Sequence, residues 1–200
     1  MGRTGWSRGV AYARGRPGMS RETGHARPGQ VAIGGAICLA SRAMSHTDSA
    51  TLRPIQHHDF DTIVELNQDA LEGVGRLDHE GLALLVKQAD QALVLEDDGD
   101  IAGFVITLPP GAVYDSSRYD WFEDRLDDYV YLDRIVVSRE HRRKGVASRL
   151  YDAVEADVPV ALEVYDTNEP SLEFHRLRGY QQVGELEHAG KNNLMMLKAA

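Results

Sequence analysis

From residue 50 onward, short apolar blocks alternate with clusters of Gly, Pro and acidic residues, and the hydrophobic period switches between two and about 3.6. Thr51–Gln56 alternates as a short strand. Asp59 can then cap a helix whose apolar positions Phe60, Ile63, Val64, Leu66 and Leu71 follow helical spacing. Asp78 opens a second helix that turns Leu82, Leu85 and Val86 inward. Gln91–Glu96 and Ile101–Leu108 read as strands joined by Asp97-Asp98-Gly99-Asp100, a strong hairpin signal, and Pro109-Pro110-Gly111 stops the second of them. Residues 113–128 place Tyr114, Tyr119, Trp121 and Phe122 among acids, enough for a helical turn or two. Tyr129–Ser138 is a long strand, and Lys144–Asp157 a helix with Val146, Leu150 and Val154 at i, i+4 and i+8, ended by Pro159. Val160–Tyr165 is the next strand, and Glu169–Leu177 a short helix closed by Gly179. Tyr180–Glu187 and Asn193–Lys198 form a last hairpin around Ala189-Gly190-Lys191. This order, without internal repeat, predicts one mixed α/β (α+β) domain with a central sheet and helices on both faces.

Charge divides the chain at the start of that domain. Residues 1–43 hold seven Arg against one Glu, a formal +6, which leaves 15 Lys+Arg against 30 Asp+Glu, a formal −15, in residues 44–200. A surface that acidic argues against nucleic-acid binding and suits a cationic substrate. The basic segment lacks periodicity and is expected to be unstructured and dispensable. Its one apolar run, Val31–Ala40, leaves two readings open: a signal or transit peptide, or an upstream start with the working protein beginning near Met44. No apolar run reaches the roughly 18 residues of a membrane span, and the domain's expected location is the cytoplasm. The lone Cys38 excludes an internal disulfide and a multi-Cys zinc site, and the histidines lack metal-ligand spacing, so no metal is expected.

The most informative chemistry lies in the run from Ile135 to Ala147, which passes from strand through a basic glycine-containing loop to a helix start. Free N–H groups at such a terminus favour an anion, Gly145 permits close approach, and Arg142, Arg143 and Lys144 add attraction for a diphosphate. Neither G-x-x-x-x-G-K-[ST] nor G-x-G-x-x-G is present, which leaves coenzyme A as the natural diphosphate.

Here the sequence resembles the GNAT acyltransferase superfamily, whose acyl-CoA loop reads [QR]-x-x-G-x-[GA]; Arg142, Gly145 and Ala147 fill it. The segment from Asn168 to Tyr180 matches a second pattern, N-x-x-[AS]-x-x-[FY]-Y-x-x-x-G-[FY], except that His175 stands where Tyr is usual. The resemblance covers residues 51–198. It implies a mostly antiparallel sheet of six to seven strands, with a cofactor cleft where strands four and five splay apart. It also implies that the backbones of Ile135, Val136 and Val137 hold the pantetheine arm, that Arg142–Ala147, including Val146, hold the pyrophosphate, and that Asn168, Ser171 and Phe174 line the cofactor. For Asn168, a simple helix cap is an equal alternative.

Asp133 and Arg134 interrupt an apolar strand; neighbours in a regular strand point to opposite faces, so each charge is expected to need its own partner. Asp133 and Glu163 are candidates for deprotonating an ammonium, against the plainer alternative of salt bridges to Arg134 or an exposed sheet end. His175 is a candidate proton donor to the departing thiolate, against a plain surface histidine; as the acid, it would make activity fall early on the alkaline side, later if a carboxylate such as Glu173 raised its pKa. The aromatic segment 114–131 reads either as a wall of the acceptor pocket or as core packing.

The reading is therefore an acetyl-CoA-dependent N-acetyltransferase in which a small-molecule or protein amine attacks directly, without covalent enzyme intermediate. Rival readings are a non-catalytic acyl-CoA-binding module and a protein N-terminal or lysine acetyltransferase. A homodimer is compatible with all three.

Overall fold

The structure is a computed structural model that describes residues 50–155 and 158–200; the expectations for residues 1–43 lie outside the described residues. The elements run β1 (Thr51–Pro54), α1 (Phe60–Gln68), α2 (His79–Gln88), β2 (Gln91–Asp97), β3 (Asp100–Leu108), α3 (Ser117–Glu123), β4 (Val130–Val137), α4 (Val146–Val154), β5 (Val160–Tyr165), α5 (Glu169–Leu177), β6 (Gln181–His188) and β7 (Lys191–Lys198). The sheet has seven strands in the order β1-β2-β3-β4-β5-β7-β6. The β4–β5 pair is parallel and every other pair is antiparallel.

Each face of the sheet buries its own apolar layer. Phe104, Ile106 and Leu108 of β3 join Ile63 of α1, Leu82 and Leu85 of α2, and Phe122 of α3 on one side. On the other side Val105, Leu132 and Leu162 meet the stripe Val146, Leu150, Tyr151 and Val154 of α4. That stripe is the i, i+4, i+8 pattern read from the sequence. Asp78 caps α2 by accepting from Gly81 N, as expected. Asp59 does not cap α1 with its side chain; its carboxylate accepts instead from Arg53 and from the Gln56 amide, tying β1 to the turn before α1.

Two irregularities in the sheet shape the site. Val130 and Tyr131 pair with Val160 and Ala161, and beyond them β4 and β5 part, so the later β4 backbone has β3 on one side and no strand on the other. Between β3 and β4 the register slips at Ile106/Thr107, leaving Asp133 as an extra residue opposite the join. A bulge of this kind reverses the alternation. Tyr131 before it and Val136 after it consequently lie in the same apolar layer although their numbers differ in parity. Across the sheet, Val183 is the extra residue of a second bulge, in β6. There a Cβ on Gly184 would stand 2.4 Å from Trp121 Cζ2, so the missing side chain is what lets the α3 indole lie on the strand.

Candidate active site

The parting of β4 and β5 opens a cleft of about 340 Å³ whose walls include Ile135, Val136, Val137, Leu162, Asn168 and His175. The expected splay is thus present, with the three β4 residues along it. At its outer end, a pocket of about 290 Å³ is lined by Arg142, Arg143, Gly145, Ala147 and Phe174, among others. Arg142 borders both cavities, whereas Lys144 is exposed and outside both linings. Two residues of this loop are left-handed, Arg143 at φ 61° and Gly145 at φ 81°. Gly145 is the N-cap of α4, and a Cβ on it would meet nothing within 4 Å. Glycine is therefore required there by the backbone angle, and the space beside it is open. The amides of Val146, Ala147 and Ser148 in the first turn have no intrahelical acceptor, so loop and helix together present donors to an anion.

The side chain of Asn168 accepts from Ser171 N as the cap of α5, and the residue also borders the cleft. Ser171 borders the cleft as well.

The bulge corrects the expectation that Asp133 and Arg134 point apart. Both side chains emerge on the α1/α3 face, and Arg134 Nε donates to Asp133 Oδ2 at 2.6 Å. Tyr114 Oη donates to the other carboxylate oxygen at 2.5 Å, and Arg134 Nη1 donates to Asn67 Oδ1 at 3.0 Å. Asp133 thus has a strong donor on each oxygen. Glu163, on the facing strand, is held more loosely. Tyr131 Oη donates to its Oε2 at 2.8 Å, and Arg118 Nε stands 3.2 Å from Oε1. Burial outweighs these partners and pushes the Glu163 carboxyl up to about 7. Glu163 borders both the cleft and a smaller cavity of about 210 Å³ walled by Tyr114, Arg118, Tyr165 and Asn193 among others.

His175 is not on the surface. It is 5% exposed, and burial lowers its pKa, so the upward shift by carboxylate neighbours is not what the structure has. Its Nδ1 lies 2.7 Å from the Ser171 carbonyl oxygen, which can only accept, so Nδ1 carries the hydrogen. Nε2 then accepts, at 2.6 Å, from Tyr151 Oη. The shared proton of this pair sits on Tyr151, a residue that falls within the predicted helix Lys144–Asp157 and was given no role there. Both residues border the cleft. Arg118 and Asn193 were likewise not singled out for a role in the site, and Tyr131 was read only as part of the aromatic segment, not as a partner of Glu163. Tyr131 could have been singled out, as it lies two positions from Asp133 on one strand. Of the aromatic segment, Tyr114 borders the smaller cavity, while Phe122 is fully buried and Trp121 packs on β6. No group of three or more potential metal ligands occurs among the described residues.

A sheet split beside a helix N-terminus is the arrangement that the sequence resemblance implies for an acyl-CoA cleft. Residues 54–180 match the model of the acetyltransferase (GNAT) family, and the chain belongs to that family. It is an acyltransferase, with acetyl-CoA as co-substrate. No curated protein matches the sequence. Among solved structures, Ard1 from Thermoplasma volcanium is 19% identical with a TM-score of 0.61, covering 76% of this chain and 98% of that one. Arabidopsis thaliana NAA60 in complex with acetyl-CoA is 20% identical with a TM-score of 0.60, covering 75% and 98%. A ribosomal-protein-alanine N-acetyltransferase from Brucella melitensis is 18% identical with a TM-score of 0.58, covering 75% and 99%. At these identities the likeness is one of fold.

Proposed function

We propose that the protein is an N-acetyltransferase that moves an acetyl group to a primary amine by direct attack in a ternary complex. The observation that carries this reading is Glu163, a buried carboxyl near pKa 7 at the junction of the long cleft and the small cavity. A base poised near neutrality is what removing a proton from an ammonium requires. Acetyl-CoA, when bound, supplies the activated acyl group. The β4 backbone beyond Tyr131 would hold its pantetheine arm, and Arg142, Arg143 and the first-turn amides of α4 its pyrophosphate. A β4 N–H would donate to the carbonyl oxygen as negative charge develops there. Glu163 takes the amine proton as the C–N bond forms and the C–S bond breaks. Tyr151, hydrogen-bonded to His175, stands in the cleft as proton donor to the leaving sulfur. Asp133 keeps Arg134, Tyr114 and Asn67 in one buried network and shapes the pocket rather than moving protons. The acidic composition and the dependence on acetyl-CoA support a cytoplasmic place of work. The neighbours include enzymes named for protein amines, but a cavity of about 210 Å³, below the roughly 300 Å³ where ligand pockets usually begin, favours a small acceptor.

The test is release of free thiol from acetyl-CoA across an amine panel, with Glu163→Gln as control. Turnover that disappears in Glu163→Gln while acetyl-CoA affinity persists supports the reading. Tight acetyl-CoA binding without turnover of any amine overturns it in favour of a non-catalytic module.

A further inference from the structure

The small cavity is more cationic than the domain around it. In residues 44–200 the formal charge is −15, yet the cavity sets Arg76, Arg118 and Arg134 against only Asp133 and Glu163. Arg134 is accounted for by Asp133 and Asn67. Arg118 is not. Its Nε is buried with no hydrogen-bond partner among the described residues, and its contact with Glu163 is an ion pair without hydrogen-bond alignment. Across the cavity, Asn193 is 1% exposed and its Nδ2 donates to the carbonyls of Leu186 and Lys191. Its Oδ1 is buried without a partner among the described residues. Arg118 and Asn193 thus both line the cavity beside one carboxylate, and each carries a buried polar atom without a hydrogen-bond partner among the described residues.

A simple amine would answer half of this. Its ammonium could donate to Glu163 and to Asn193 Oδ1, but Arg118 would keep an unsatisfied N–H and gain a like charge as neighbour. A ligand bearing a carboxylate next to its amino group answers both halves. The ammonium lies between Glu163 and Asn193, and the carboxylate accepts from Arg118, with exposed Arg76 at the rim. In an α-amino acid one carbon carries both groups, a closeness that matches the 3.2 Å between Glu163 and Arg118.

We propose that the acceptor is a small α-amino acid, bound through its carboxylate by Arg118 and through its amino group by Glu163 and Asn193. The proposal rests on the N-acetyltransferase reading and narrows it. The amide bond forms on the α-nitrogen, Glu163 takes the proton, and thiol leaves. A protein N-terminus is disfavoured, since a neutral peptide group replaces the carboxylate next to its amine.

Matched triples test this: alanine, alaninamide and ethylamine; phenylalanine, phenylalaninamide and phenethylamine; methionine, methioninamide and 3-methylthiopropylamine. Each is assayed for thiol release from acetyl-CoA and titrated by calorimetry into protein saturated with CoA. In at least one triple the amino acid should exceed both partners in kcat/KM by tenfold or more, mainly through KM, and should bind correspondingly tighter. Arg118→Ala should bring that ratio close to one, and Arg118→Lys should restore part of it. If amines and amides are acetylated as well as the amino acids, N-acetyl transfer stands and this acceptor class falls. If amino acids bind with the carboxylate preference but release no thiol, the cavity assignment stands and the transferase reading falls. A preference that survives Arg118→Ala, or absence of binding by every triple, overturns the proposal. The wild-type comparison decides even if Arg118→Ala does not fold.

Discussion

Tyr151 Oη donates to His175 Nε2 across 2.6 Å, joining α4 to α5 beside the cleft. The resemblance would have put a tyrosine at position 175; here a histidine occupies it, and the phenol reaches the cleft from α4 instead. Because Nδ1–H is engaged by the Ser171 carbonyl, the neutral imidazole has no free proton to give. In the proposed reaction the donor is the hydroxyl, and the ring orients it.

The alkaline side of the pH profile distinguishes the two assignments. A catalytic imidazolium would make turnover fall as pH rises past about 6.5. With Tyr151 as donor, turnover should instead stay level to about pH 10, since burial pushes this phenol above the ordinary tyrosine value. Tyr151→Phe and His175→Phe should each lower turnover by roughly 10²-fold or more with acetyl-CoA affinity nearly unchanged. Retention of more than half the rate in both variants would make the pair a core contact only.

On the acid side, Glu163 must be ionised to accept a proton, so turnover should rise with a midpoint near the pKa of about 7. The same shift has a stability consequence with a definite sign. Its folded pKa lies above the ordinary 4.5, so the neutral form favours folding below that value, and this contribution is lost as pH rises through about 7. Glu163→Gln cannot ionise. It should match wild type in denaturant unfolding at pH 4 and exceed it at pH 8, by up to roughly 3 kcal/mol, while being inactive. Equal stabilities at both pH values would contradict the shift.

For the phosphate loop, Arg142→Ala should raise the acetyl-CoA Kd at least tenfold, the effect of losing one charge-assisted bond of roughly 1.5–3 kcal/mol. Arg143→Ala should do less, because Arg142 borders both cavities and Arg143 only the outer one. At Gly145 even alanine should be costly, by about 1–2 kcal/mol, through its left-handed backbone alone. Calorimetry and melting curves on the three variants check this ordering.

Asp133→Ala should destabilise the fold by roughly 3–5 kcal/mol, since it leaves the guanidinium of Arg134, 6% exposed, without its carboxylate. Asp133→Asn should cost less. An unchanged unfolding midpoint in the alanine variant would release Asp133 from its structural role and return it to consideration as the base.

Most of the architecture was legible without coordinates, because helices, strands and turns are encoded among neighbours a few positions apart. Val146, Leu150 and Val154 declare one helix face; Asp97-Asp98-Gly99-Asp100 declares a hairpin; Val160–Tyr165 and Glu169–Leu177 stand where the pattern put them. The basic loop before α4 was legible for the same reason, as its chemistry is local. The relations inside the site were not. Asp133 and Arg134 share a face because one extra residue in β4 reverses the alternation, and that residue is defined only against β3. Tyr151 meets His175 from 24 positions away, and Arg118 of α3 meets Glu163 of strand β5. Such pairs depend on strand register and helix packing, which join distant segments, so only the tertiary structure brings these side chains together.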